Sequence, residues 1–315
     1  MKLLNQFLQS AAMLKYIDRD YLKGFVLVFF AGTNWSFGAL LVRYMEAAQN
    51  YQWQYLFFRG LTIATVLLIY LMANEGAALV DKFKKTGLSG LLGACGLVAA
   101  FSGYIWSITQ TTVANTLFML AAGPFIAAIL GIMLLKERIR YQTWVAMTVA
   151  LVGILVMVLE GLEAGNLFGN LIALVSALGM AVFTVSLRWR KETPQFATVA
   201  LGGVLCSLFT SALLYFNGET LAMPLRNVYL SAAHGFILGI GLILFSVGAK
   251  YLPAAELTLL SLVEVVWSIL WVYLPILGVH EIPSMLTVIG GAIVLSAIVL
   301  DGVSVRQYRR IIKRP

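Results

Sequence analysis

Charge is scarce in this chain of 315 residues: Asp, Glu, Lys and Arg together make up 11%. A soluble domain carries roughly a quarter charged residues. With 61% of positions hydrophobic, the composition excludes a soluble globule and points to an integral membrane protein. Histidine occurs only at His234 and His280, with no HExxH pattern around either, so metal-assisted hydrolysis has no ligand set. Cys95 and Cys206 are the sole cysteines, both within apolar stretches; they exclude a disulfide framework and a CxxC metal site and read as buried thiols. No GxxxxGK[ST] loop is present, which argues against ATP-driven pumping. No apolar core within residues 1–23 ends in a small-residue cleavage site, so no cleavable signal peptide is expected.

What the chain has instead is apolar length. Ten segments of about 18–23 residues, each enough to span roughly 30 Å of hydrocarbon, fall at 24–44, 54–73, 87–108, 113–135, 142–159, 167–187, 196–216, 229–250, 255–277 and 284–302. Barrel strands would be half as long and would alternate polar with apolar, which these do not. The net charge of +8 belongs to this pattern, because the basic residues lie between apolar segments and need no nucleic acid to explain them. With the N-terminus in the cytoplasm, 19 of the 22 Lys and Arg fall on the inner side. Only Arg43 and Arg226 fall outside, and Arg59 lies within the second segment. Both termini are therefore expected in the cytoplasm, in a bacterial-type inner membrane. Residues 1–23, with Phe7, Leu8, Met13 and Ile17 beside Lys2, Lys15 and Arg19, suggest a short amphipathic helix on the inner leaflet. Residues 304–315 form a basic cytoplasmic tail.

One stretch concentrates the chemistry. Pro253 to Ser284 is apolar enough for a membrane helix yet carries Glu264 near its middle. Trp267 and Trp271 follow three and seven positions later, on the same helical face. A carboxylate at that depth is expensive and usually faces a water-filled cavity or a partner. The functional reading is a binding wall for a small polar molecule; the alternative is an acid paired within the bundle, with the indoles as packing.

The chain also repeats itself. Gly24 to Arg43 and Gly169 to Arg188 share their ends and their small residues, Ala31 matching Ser176 and Asn34 matching Gly179. Gln110 to Pro124 aligns with Tyr251 to Val265, setting Asn115 against Glu256 and Gly123 against Glu264. Glu137 and Glu281 follow in the same order. Five spans is an odd number, so such copies insert upside down, a signature of secondary transporters with a site at the midplane. The expected fold is an all-α membrane protein of ten transmembrane helices in two inverted five-helix repeats, 24–160 (first repeat) and 161–303 (second).

Several motifs carry a family resemblance: Gly32, Trp35 and Gly38 in helix one, Arg59 in helix two, QTTVAN followed by Gly123-Pro124, and KER at Lys136 to Arg138. The second half adds AKYLPAAE at Ala249 to Glu256, HEIPS, and GGAIVL at Gly290 to Leu295. On these the chain resembles the EamA family of the drug/metabolite transporter superfamily over nearly all residues after about 24. The resemblance implies ten helices, two inverted halves and alternating access, often for export of amino acids or other metabolites. It departs at Glu264, where the family commonly shows Glu-Pro and this chain has Val265; the usual kink in helix nine is therefore expected to be absent.

The remaining candidates each have two readings. Arg59, about 8 Å deep at 1.5 Å per residue, either clamps a substrate carboxylate or is structural, bonded to carbonyls or to Glu46. Asn34 and Trp35 lie mid-helix one and read as cavity lining. In helix three Trp106 and Gln110 share a face, with Tyr104 off it, and Asn115 opens helix four. Pro124 kinks helix four, as shape or as a gating hinge. Glu256 reads mainly as a first-turn acid favoured by the helix dipole, His234 as a packed donor, and Glu137, Glu281 and Lys250 as structural. The expected function is a secondary active transporter of an amino acid or related amine. In that reading Glu264 takes a cation or a proton, the indoles hold an ammonium, and Arg59 takes a carboxylate. An anionic or neutral metabolite, with Glu264 in proton coupling alone, is the second substrate reading. A channel or non-transporting sensor is the alternative of another class; no filter or charged ring supports it. An enzyme is not expected, nor any cofactor, metal or nucleic-acid partner. The expected partners are a small molecule, the bilayer and protons, in a monomer or homodimer.

Overall fold

The computed structural model describes residues 19–111, 113–159, 167–190, 193–273 and 285–312, with the side chains of 77, 113–115, 157–158, 269, 272–273, 287 and 303–312 excluded. Among the described residues the chain is helical throughout, with no strand. The first apolar segment is broken into α1 (Arg19–Trp35) and α2 (Phe37–Arg43), and α3 (Gln52–Glu75) follows. Next come α4 (Leu79–Gln110), a second broken pair α5 (Val113–Leu120) and α6 (Gly123–Leu135), and α7 (Tyr141–Val158). The second half runs through α8 (Leu167–Trp189), α9 (Gln195–Phe216) and α10 (Leu225–Gly248), a third broken pair α11 (Ala254–Ser261) and α12 (Val263–Tyr273), and α13 (Met285–Ile312). Seven of these runs are long and apolar enough to cross a membrane, and Tyr141–Val156 and Val288–Gly302 are shorter apolar helices. Ile69, Met72, Ile129 and Met133 are exposed on the outside of the bundle, as lipid-facing residues are.

The elements extend past their predicted ends. α1 begins at Arg19, so 19–23 belongs to the first helix; residues 1–18 of the expected amphipathic segment lie outside the described residues. α13 continues to Ile312, so most of the basic tail is helix. α4 begins eight residues before the predicted segment but turns at Gly87, whose backbone (φ 54°, ψ −159°) is open to glycine and costly for other residues. Of the two cysteines, Cys206 is buried as expected, whereas Cys95 is exposed on the outer face of α4.

Helix nine corrects the sequence reading. Without a proline it still breaks at Leu262, between α11 and α12. Thr258 Oγ1 donates to the carbonyl of Ala254 at 3.0 Å and Ser261 Oγ to that of Thr258 at 2.8 Å. Such back-bonds from Ser and Thr bend helices. The break in the first segment has the same character: Thr33 donates to Phe29 at 3.0 Å and Ser36 to Thr33 at 2.6 Å.

Packing pairs helices across the halves. α4 lies along α8, α3 along α9, α7 along α13, α1 along α10, and α6 against α11. Small residues permit the approach. A Cβ on Gly96 would lie 2.7 Å from the carbonyl of Gly179, and one on Gly203 2.7 Å from that of Gly60. Ser176 Oγ donates to the carbonyl of Ala100 at 2.8 Å along the same seam. Close backbone contact and interhelical hydrogen bonds hold helices together where lipid supplies no hydrophobic drive.

Candidate functional site

A cavity of about 130 Å³ lies within the bundle. α3 contributes Arg59, 1% exposed, whose Nη2 donates to the carbonyl of Phe101 at 3.2 Å and whose guanidinium lies over the Phe101 ring at 4.8 Å. Its buried Nε has no hydrogen-bond partner among the described residues. One helical turn before it, the hydroxyl of Tyr55 is hydrogen-bonded at 2.8 Å to Nδ1 of His234 on α10. The His234 ring packs against Gly38, where a Cβ would approach Nε2 to 2.8 Å. α12 contributes Glu264, its second residue, directly after the break. Glu264 lines the cavity and makes no hydrogen bond or ion pair with any described residue.

Between these groups the wall is apolar, with Phe101, Leu117, Met180, Leu238 and Leu242. Ser176, Thr258 and Ser261 also line it, but each hydroxyl is occupied by a backbone carbonyl. Side chains left to meet a polar ligand include Arg59, Glu264, Tyr104, His234 and Trp35. All three interrupted helices reach the cavity at their breaks, through Trp35, through Leu120, Gly123 and Pro124, and through Ser261, Leu262 and Glu264. Irregular backbone at membrane depth is tolerated where it lines a cavity.

The structure thus brings together Glu264, Arg59, Trp35 and the hinge candidate Pro124. Trp35 leans on Phe245 with ring centroids 5.2 Å apart, and its Nε1 has no hydrogen-bond partner among the described residues. The other candidates lie off the cavity wall. Trp267 and Trp271 stack on each other at 5.6 Å; Trp271 also stacks on Phe37 at 4.7 Å and donates Nε1 to Ser36 Oγ at 2.7 Å. Trp106 packs against Trp53 at 4.9 Å. Asn34 donates to the carbonyl of Phe30 at 2.8 Å, and Gln110 ends α4 away from the cavity. The side chain of Asn115, with Glu281 and His280, lies outside the described residues. The helical-face argument missed Tyr104 because it followed Trp106. His234 gave no sequence signal tying it to Tyr55, 179 positions earlier.

At the end of the bundle where the basic runs collect, two ionic clusters tie the halves. Arg188 donates Nε to Glu137 Oε1 at 2.7 Å, while Glu137 Oε2 accepts from the amide of Ala254 at 3.1 Å. Arg188 also donates to the carbonyls of Ala249 and Leu252. Arg140 Nη2 contacts Glu256 at 3.2 Å and Asp301 at 3.1 Å, and Thr143 donates to Asp301 at 2.9 Å. Glu137 and Glu256 are thus both structural contacts here; Asp301, at the end of the last apolar segment, was not singled out from sequence.

Comparison with known proteins agrees with this architecture. A solved structure titled "Crystal structure of protein", 21% identical, aligns with 90% of this chain and 98% of its own length at a TM-score of 0.72, which establishes a shared fold. Protein RarD of Streptomyces exfoliatus is 27% identical over 188 residues, 56% of this chain; the match spans about half the length of that relative. Residues 22–159 match the model of the EamA-like transporter family. The resemblance read from the motifs is thus matched over residues 22–159, where this chain of several apolar, membrane-length helices is similar to the EamA-like transporter family.

Proposed function

We propose that the chain is a secondary active transporter that moves a small polar metabolite, an amino acid or related amine, by alternating access. One observation carries the reading: Arg59 and Glu264, of opposite charge, line one cavity without pairing with each other. Such an arrangement suits a zwitterion. Arg59, already held by Phe101, has free N–H groups for a carboxylate, and Glu264 accepts an ammonium or a proton. The ring faces of Trp35 and Tyr104 favour a cation beside that acid.

The transporter reading includes ten spans in two inverted halves, 24–160 and 161–303, with α1–α2, α5–α6 and α11–α12 each counted as one. The packing supports it. Exchanging each span for its counterpart five positions away returns the principal pairings: three with six becomes eight with one, and two with seven, four with nine and five with ten map onto themselves. Gly123 and Glu264, aligned between the two copies, both reach the cavity. The interrupted helices four and nine occupy matching positions, where transporters of this kind bind substrate. With both termini cytoplasmic in an inner membrane, the clusters of Arg140 and Arg188 close the inner side and must part for the cavity to open inward.

The second reading, an anionic or neutral metabolite with Glu264 serving proton coupling alone, is favoured by the largely apolar wall and by the lack of a polar partner for Glu264 among the described residues. Purified protein screened by thermal shift against amino acids, amines and carboxylic acids distinguishes the two, since ligands of the folded state raise the melting point. Zwitterions should stabilise wild type and fail to stabilise Glu264→Gln. Stabilisation by simple acids, unchanged in Glu264→Gln, selects the second reading. In proteoliposomes Glu264→Gln should also abolish pH-dependent uptake; undiminished uptake with the wild-type pH profile removes Glu264 from either role.

A further inference from the structure

A second pocket, of about 580 Å³, opens between the end of α3, the start of α4, the start of α9 and the turn after α10. Lys82, Lys85 and Lys250 line it, against a single described acid, Glu75, which Lys82 engages at 3.1 Å. Lys85 and Lys250 are exposed and have no ion pair among the described residues. α9, 22 residues long, begins in the wall, and Pro194 at its N-cap supplies no side-chain cap to the first amides. Those amides carry the positive end of the helix dipole and have no partner within the helix. Gln195, the first residue of α9, is only 9% exposed and lines the pocket, yet its side-chain amide has no hydrogen-bond partner among the described residues. Its amide is therefore open to hydrogen-bond an occupant of the pocket.

We propose that this pocket binds the phosphate of an anionic phospholipid headgroup from the leaflet on the basic side. Two lysines neutralise the phosphate, the α9 N-terminus and the Gln195 amide donate to its oxygens, and the membrane presents the ligand directly. Basic pockets between transmembrane helices bind phosphorylated headgroups in this manner. A lipid is favoured over a soluble phosphate because the wall continues into apolar surface. Phe196 lines the pocket and meets Tyr70 edge-on at 5.4 Å, and beside Tyr70 the exposed Ile69 and Met72 face outward.

The full-length protein in neutral detergent, titrated with short-chain phosphatidylglycerol while its melting point is followed, tests this. Phosphatidylglycerol should raise the melting point, and phosphatidylcholine or inorganic phosphate at equal concentration should not. Lys85→Gln with Lys250→Gln should weaken the apparent affinity by about fivefold per lysine, and Gln195→Glu should abolish the shift. The same charge change made elsewhere on the basic side, Lys136→Gln with Arg138→Gln, should leave the affinity unaltered. Equal weakening by both pairs reduces the effect to diffuse attraction and overturns the pocket. An equal shift with phosphatidylcholine removes the phosphate site, and an equal shift with inorganic phosphate transfers it to a soluble ligand.

Discussion

Arg59 and Glu264 meet the same cavity from helices that lie some two hundred positions apart in sequence. Their chemistry was legible one residue at a time, because a charge in an apolar segment must be explained by a partner or a cavity. Their meeting was not, since helical periodicity gives a face and not what the face looks at. Arg59→Lys keeps the charge but loses the planar fork that donates to Phe101 and stacks on its ring. Uptake of a carboxylate-bearing substrate should fall by about tenfold or more while Arg59→Lys still folds, as uptake assays alongside size-exclusion profiles would show. Trp271 illustrates the opposite lesson. Its shared face with Trp267 is present, but the ring is committed to Phe37 and Ser36. Trp271→Ala should lower stability by about 2 kcal/mol, from two aromatic contacts and one hydrogen bond, with thermal melting falling at least as clearly as substrate affinity. A loss of affinity without a loss of stability would return Trp271 to the binding wall.

At the scale of elements, three of the apolar segments are interrupted, and the interruptions differ in how visible they are in sequence. Pro124 announced its own, at position two of α6, where proline fits the first turn of a helix. The breaks at Ser36 and Leu262 come from hydroxyls that bond back to the preceding turn, a signal that Ser and Thr give only weakly because most make no such bend. Pro124→Ala separates hinge from shape. If the break gates the cavity, turnover in proteoliposomes should slow several-fold while the melting point stays within the range of a tolerated substitution, about 1 kcal/mol. Unchanged turnover assigns Pro124 to shape.

The whole molecule is held by pairings between halves, and the ionic clusters show where that matters most. Arg140 is shared by Glu256 and Asp301, so Arg140→Gln leaves two largely buried carboxylates facing each other across α11 and α13. Removing one partner of a buried ionic group costs about 3–5 kcal/mol, and melting in detergent should show a large drop. Arg226→Gln provides the contrast: its contact with Glu46 is 4.0 Å long and half-exposed, worth less than about 1 kcal/mol. Comparable losses in the two variants would mean that the Arg140 cluster does not bind the halves together.

By itself the sequence determined that the chain is an all-helical membrane protein, where the apolar cores of its helices lie, though not their full length at α4 and α13, and which of its polar residues are too costly to be idle. Apolar length, basic flanks and local repetition are properties of contiguous residues, and a bilayer converts them into helices with little choice. Only the tertiary structure decided which faces meet. It set Arg59 and Glu264 on one cavity and Tyr55 on His234, left Trp267 and Trp271 outside the wall, and broke the ninth segment without a proline. Those outcomes depend on backbones approaching at Gly96, Gly179, Gly60 and Gly203 and on hydroxyls choosing between a carbonyl of their own helix and one across the interface. Such choices join residues far apart in the chain, and no stretch of sequence read alone contains both partners.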